Sequence, residues 1–287
     1  MDRIETVIAA LNHYESSRLP RGELFISREF LISHFPNGKG NHIEQLKAAC
    51  ESLELDLIGI DMNEDSFILS LSRNEYRRLK GFFTVGCLEG PFSLITRLKG
   101  FEEAMLDLKM HQSTYAMVTS MLIKKLRDII SLVLENSFMG IAILDDIAGN
   151  QGLMMSRLDF ENLLYPFYQS AAKIIKEHGL YAFFHSDGNI CKILQHIVDA
   201  GFDCLHCIDA QAGIDLYKLR EVYGGNIAFM GHVDILAWNE DRIRLEIERA
   251  EKKFSRGGLI LGSSCGIPKK VSLNKISALY PEWHSVD

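Results

Sequence analysis

The stretch GFDCLHCIDAQAGIDLYKLREVYGGNIAFMGHVD, residues 201–234, decides the fold. It holds an apolar run, DCLHCID (203–209), then a segment of helical spacing over 216–223, then Gly224 where a helix C-terminus belongs, then a second apolar run, NIAFMGHVD (226–234). Runs this short and this apolar fit strands buried on both faces. A strand, a crossover helix and another strand build parallel sheet.

The same unit recurs outward in both directions. GELFIS (22–27), LDLIGID (55–61), FFTVGCL (82–88), GIAILDD (140–146), YAFFHSD (181–187) and GLILGSS (258–264) complete a set of eight runs. Between them, helical spacing covers 41–53, 117–134, 159–178, 190–200 and 242–254, and in 117–134 the stripe is Met117, Met121, Leu122, Leu126, Ile129, Ile130 and Val133. Gly179, Gly201, Gly224 and Gly257 follow four of the helices, as C-terminal glycines do. FILSLS (67–72) reads as an excursion after the second strand. Eight parallel strands alternating with helices predict one (β/α)8 barrel over 1–287, with 1–20 as an N-terminal helical extension whose helix, 4–15, packs across the base.

Composition narrows the partners. A chain of 287 residues, 47% hydrophobic, can bury a large core. The net charge is -7 and the 31 basic residues are scattered, which argues against a nucleic-acid footprint. Charges crowd the first five residues and no run of about 18 apolar residues occurs, so neither a secretory signal nor a membrane span is expected, and the expected location is cytoplasmic. The six cysteines read as free thiols. Cys204 and Cys207 have CxxC spacing, but residues three apart on a strand point to opposite faces, so a shared metal is not expected.

In such a barrel the site is built at the C-terminal ends of the strands. The runs end in Asp61, Glu89, Asp145–Asp146, His185-x-Asp187, His206 with Asp209, His232 with Asp234, and Cys265. Any one of these is ordinary as a solvated loop residue, and Asp187 has a second reading as the cap of the helix that follows. Together they gather metal-ligand and acid-base residue types at one rim. Period two puts His185 and Asp187 on the same side of their strand, while only one of Asp145 and Asp146 can face the mouth; Asp146, nearer the end, is favoured. Cys265 stands among small neighbours in GSSCGIP. One nitrogen, one sulfur and one or two carboxylates make a zinc set with room for substrate; the plainer alternative is a hydrogen-bonded core histidine and a small buried cysteine.

DDIAGNQGLMMS (145–156), HSDGNICKIL (185–194), the stretch 201–234 and GGLILGSSCGIP (257–268) resemble the uroporphyrinogen decarboxylase superfamily, and within it the corrinoid-linked methyltransferases. RLPRGELFIS (18–27) and EGPF (89–92) extend the likeness loosely into the first half. The resemblance implies a (β/α)8 barrel. Members that use coenzyme M or a similar thiol hold zinc with a histidine, a cysteine two residues later and a second cysteine on the last strand. Here His185 takes the first place and Cys265 the last, but Asp187 stands in the middle; Asp146 could complete the set, with Glu161 a weaker candidate.

A carboxylate in place of a thiolate leaves a harder, more Lewis-acidic zinc, suited to polarising the heteroatom of a methyl donor. The resemblance therefore implies a zinc-dependent methyltransferase moving a methyl group between a small methylated, in particular methoxylated, compound and the corrinoid (cobalamin) of a partner protein. Asp146, His185 and Asp187 are its expected catalytic residues, and His232 and Asp234 are expected to meet the corrinoid over the mouth. Two alternatives stand beside it. A metal-free decarboxylase acting on a tetrapyrrole could use Asp61, although Arg28 alone answers the substrate's eight carboxylates; a non-catalytic corrinoid-binding barrel would need none of the rim chemistry.

Overall fold

A computed structural model of the chain describes residues 1–36, 41–63, 70 and 73–281. Eight parallel strands form one sheet: β1 (Gly22–Glu23), β2 (Leu57–Asp61), β3 (Phe83–Glu89), β4 (Gly140–Leu144), β7 (Tyr181–His185), β8 (Cys204–His206), β9 (Ala228–Val233) and β10 (Leu259–Ser263). Each pairs with the next in chain order. Parallel bridges between Arg21 and Leu261 and between Ile26 and Ile267 bring the first strand to the last, so the sheet curls into a (β/α)8 barrel. Every run read as a strand supplies one. All but Ser70 of FILSLS lies outside the described residues.

Alternation along the strands divides the core in two. Leu24, Leu57, Phe83, Val85, Ala142, Phe183, Met230 and Ile260 fill the barrel, while Ile58, Ile60, Ile141, Ile143, Phe184, Leu205 and Phe229 face the helices. The N-terminal helix Arg3–Leu11 starts on a capping box made by Asp2 and Glu5 and sets Val7, Ala10 and Leu11 against the inner set, closing the base.

The helical layer follows the apolar spacing with local departures. Helix Gln112–Glu135 buries Tyr115, Val118, Leu122, Leu126, Ile129, Ile130 and Val133, but Met117 and Met121 turn to solvent at 67% and 52% exposure. Gly179, Gly201 and Gly257 have the positive φ of C-terminal glycines. Gly224 follows its helix at φ -64, where no left-handed residue is needed. A short antiparallel hairpin, β5 (Ala148–Gly149) with β6 (Gly152–Leu153), leaves the end of β4 and forms one wall of the mouth. Among the described residues no helix is long and apolar enough to cross a membrane.

Candidate functional site

The strand ends assemble the site by register. Leu144 of β4 pairs with His185 of β7, and His185 pairs with His206 of β8. Both histidines sit on inward positions, so their rings meet inside the barrel with Nδ1 atoms 2.7 Å apart, and Phe25 lies edge-on to each. His185 directs Nε2 the other way. It stands 3.5 Å from Asp146 Oδ1 and 3.9 Å from Asp187 Oδ1. One donor atom from each of Asp146, His185 and Asp187 lies within 4.8 Å of the others, and among the described residues this is the one such group of metal-ligating side chains.

The two aspartates at the end of β4 divide as the alternation requires. Asp145 is buried toward the helices, accepting from the N–H groups of Phe92 (3.3 Å) and Ser93 (2.6 Å) and from the Tyr168 hydroxyl (2.7 Å). Burial pushes its carboxyl up to about 7 against the pull of those donors. Asp146 stays half-exposed at the mouth, where its Oδ1 accepts the N–H of Asp187 at 3.0 Å. Asp187 does not cap the next helix: Leu194–Asp199 begins at Ile193 without a side-chain cap, and Asn189 makes the local turn contact, with Cys191 N–H. The Asp187 carboxylate instead accepts from the Cys207 thiol at 3.3 Å.

Around this group lie two cavities. One of about 280 Å³ is lined by the hairpin, Asp187, Cys207, Asp209, Asp234 and Cys265. The other, about 480 Å³, runs under β1–β3 past Phe25, Arg28, Asp61, Glu89 and again Cys265. Cys265 thus borders both, at the rim beyond β10, but no carboxylate–histidine group within 4.8 Å includes it. Partial burial raises its thiol to about 11. Glu89 accepts from Arg97 Nε and Nη2, each at 2.8 Å, and Asp61 accepts from Asn63.

Other expectations meet a different geometry. His232 is not at the mouth. Positive φ at Gly231 (96°) and His232 (87°) interrupts the alternation of β9 and turns the ring outward, where Nε2 lies 3.0 Å from Glu246 and the ring edges Trp238 and Tyr217. Asp234 does reach the rim, accepting from Gln211 Nε2 at 2.7 Å and from the N–H groups of Leu236 and Ala237. Glu161 is occupied elsewhere by Arg157 and His196. Cys204 is buried in the inner core, whereas Cys207, past the end of β8 and preceded by a cis peptide bond, reaches the cavity; the pair is not brought together.

One buried acid escaped the sequence reading altogether. Glu23 on β1 is wholly buried and accepts from Ser263 N–H (2.9 Å), Ser263 Oγ (2.7 Å) and the Tyr280 hydroxyl, joining the first strand, the last strand and the last helix. Burial raises its carboxyl to about 7. Its signal was an acidic residue inside an otherwise apolar run.

Three donors of hard and intermediate character within 4.8 Å of one another, beside an open cavity, would fit a divalent cation with positions left for substrate. The model of the uroporphyrinogen decarboxylase (URO-D) family matches residues 77–286. Among solved structures the chain is similar to a methyltransferase from Methanosarcina mazei, with TM-score 0.78 and 18% identity over 98% of each chain. It is also similar to a family 2 AP endonuclease from Brucella melitensis (TM-score 0.53, 12% identity, 91% of this chain and 97% of that one). A sugar phosphate isomerase/epimerase from Parabacteroides distasonis matches at TM-score 0.54 and 11% identity, over 93% of this chain and 100% of that one. Likeness at such identities is one of fold. No curated protein sequence matches the chain.

Proposed function

The chain belongs to the uroporphyrinogen decarboxylase family, and from that premise we propose that it is a methyltransferase, moving a methyl group between a small methylated, in particular methoxylated, compound and a corrinoid carried by a partner protein. The observation that carries this reading is the convergence of Asp146, His185 and Asp187 at the mouth. The fold shared end to end with a methyltransferase from Methanosarcina mazei supports it.

In this reading His185 Nε2, Asp146 and Asp187 would hold a zinc ion, with Cys265, at the rim beyond β10, as the further candidate donor. Bound there, zinc supplies Lewis acidity toward the heteroatom that carries the methyl group. The chain's own residues do the positioning. The N–H of Asp187 fixes the Asp146 carboxylate, and the Cys207 thiol fixes that of Asp187. The hairpin shields one side from water, and the larger cavity, floored by Leu24 and Phe25, takes the body of the substrate. Of the two residues expected to meet the corrinoid, Asp234 is the one at the rim.

Charge separates this reading from a decarboxylase. Asp61, Glu89, Asp187, Asp209 and Asp234 line the two cavities, and among the described lining residues Arg28 is the one arginine or lysine. Such a mouth repels a substrate with eight carboxylates and accepts a neutral or cationic one.

The test mixes the protein, purified without chelator, with reduced cobalamin and a panel of methoxylated and N- or S-methylated donors, following methylcobalt formation by absorbance. Expected are bound zinc and methyl transfer from at least one donor, both reduced in Cys265→Ala. The reading falls if the protein retains no zinc and forms no methylcobalt with any donor, and porphyrinogen turnover without metal would replace it with the decarboxylase.

A further inference from the structure

The helix Pro91–Lys99, which leaves the end of β3, starts without a cap of its own: its N-cap is Gly90, which has no side chain to offer, and its first residue is proline. The free N–H groups of a helix start need an acceptor. Asp145, just past the end of the neighbouring strand β4, supplies one. Its carboxylate accepts the N–H of Phe92 at 3.3 Å and that of Ser93 at 2.6 Å, the second and third residues of the helix, where a capping side chain bonds. Gly90 leaves the room for it. A Cβ there would stand 2.4 Å from Asp145 Cγ, although φ -80° and ψ 174° would admit any residue, so the glycine is required by the carboxylate and not by the backbone.

The borrowed cap closes a ring. Ser93 Oγ accepts the N–H of Asp146 at 2.9 Å. The Asp145 side chain thus holds the backbone of Ser93, and the Ser93 side chain holds the backbone of the residue after Asp145. The flanking N–H groups are pinned as well, that of Asp145 to the His185 carbonyl at 2.9 Å and that of Ile147 to Ser186 Oγ at 3.2 Å. Three successive N–H groups are therefore held where the half-exposed Asp146 carboxylate leaves the main chain.

We propose that Asp145 and Ser93 are positioning residues for the candidate centre: by fixing the start of helix Pro91–Lys99 to the peptide of Asp146, they aim the Asp146 carboxylate at His185 Nε2. Asp145 itself is wholly buried on the helix side and stands outside the group of metal-ligating side chains. Outer partners of this kind set a ligand's direction before an ion binds. The same helix carries Arg97, which holds Glu89 in the larger cavity, so one element supports both the base of Asp146 and a wall of the substrate space. The purpose of the ring rests on the metal reading above; the ring itself does not.

Two measurements on the full chain test the proposal separately from that reading. In metal-free protein with ¹⁵N-labelled aspartate, the Asp187 amide, whose acceptor is Asp146 Oδ1, should exchange its hydrogen about 10-fold faster in Ser93→Ala than in wild type. Ser93→Thr, which keeps the hydroxyl acceptor, should restore the wild-type rate. Affinity for Zn²⁺ and Co²⁺, by competition with a chromophoric chelator, should fall about 10-fold in Ser93→Ala and in Gly90→Ala, and hold in Ser93→Thr. Gly90→Ala removes no polar group and no ligand, so its loss would come through the displaced Asp145 carboxylate. Wild-type exchange and affinity in a folded Ser93→Ala, or equal losses in Ser93→Ala and Ser93→Thr, overturn the proposal. If the wild-type protein binds neither ion, the metal reading falls and the exchange rates alone decide whether Ser93 positions Asp146.

Discussion

The backbone N–H of Asp187 donates to Asp146 Oδ1 across 3.0 Å, so one half-exposed carboxylate of the candidate centre is tied to the backbone that carries the other before any ion arrives. The tie crosses from the end of β7 to the end of β4, adjacent strands in the barrel. An exposed carboxylate held this way loses less freedom on coordinating a cation.

Removing a donor should therefore cost more than removing a support. His185→Ala and Asp146→Ala are expected to weaken zinc binding beyond the roughly 10–100-fold typical of an outer-layer change. Asp146→Asn keeps an acceptor for the Asp187 N–H and should fall between Asp146→Ala and wild type. Zinc content after dialysis and chelator competition give the order.

In the proposed zinc site Asp187 would set the hardness of the ion. Asp187→Cys should bind Co²⁺ with a new near-ultraviolet thiolate-to-metal absorption, hold zinc at least as tightly, and transfer methyl groups from methoxylated donors more slowly, because a thiolate gives the ion more charge. Unchanged rates and no new absorption would show that position 187 does not touch the metal.

Glu23 should make stability depend on pH. Its carboxyl holds a proton to about 7 when folded, against 4.5 as the ordinary value. The protonated form therefore favours the folded state fully below about pH 4.5, and that contribution is lost as pH rises through 7. Glu23→Gln should remove this slope, worth on the order of 3 kcal/mol across the window. Calorimetric Tm from pH 5 to 8 should fall less in the variant than in wild type, and parallel curves would refute the assignment. Asp145, raised from 3.8 to about 7 by burial, adds a slope of the same sign.

Gly188 couples the site to the hairpin. It sits at φ 79°, and a Cβ would fall 2.4 Å from the carbonyl oxygen of Ala148. Gly188→Ala should cost more than about 1 kcal/mol and lower Tm by several degrees. Because Asn189 N–H also bonds to Gly149, the hairpin must move, and metal affinity should drop with stability.

Strand placement was legible because each run is apolar, short and closed by glycine or polar residues, and the register that joins His185 to His206 follows from counting inward positions along neighbouring runs. What counting could not supply was any break in alternation. His232 obeys the apolar pattern of β9 yet points to Glu246, since positive φ at two successive residues reverses its side. The only sign of this in the sequence is Gly231. Cys207 escaped for a related reason, lying one residue beyond the strand whose periodicity placed it on the far face. Glu23 was hidden by distance: its partners Ser263 and Tyr280 are 240 and 257 positions away, and no local pattern encodes them.

That separation also orders the making of the molecule. β1 contributes only two residues to the ladder, and the carboxyl of Glu23 fastens it to residues 240 and 257 positions further along the chain. Loop-closure entropy for a contact spanning nearly the whole chain is met only after the intervening units have docked. Until then the nascent sheet has two open edges at β1 and β10, and the meeting of those edges, with Ser263 and Tyr280 as partners, is what takes Glu23 out of water.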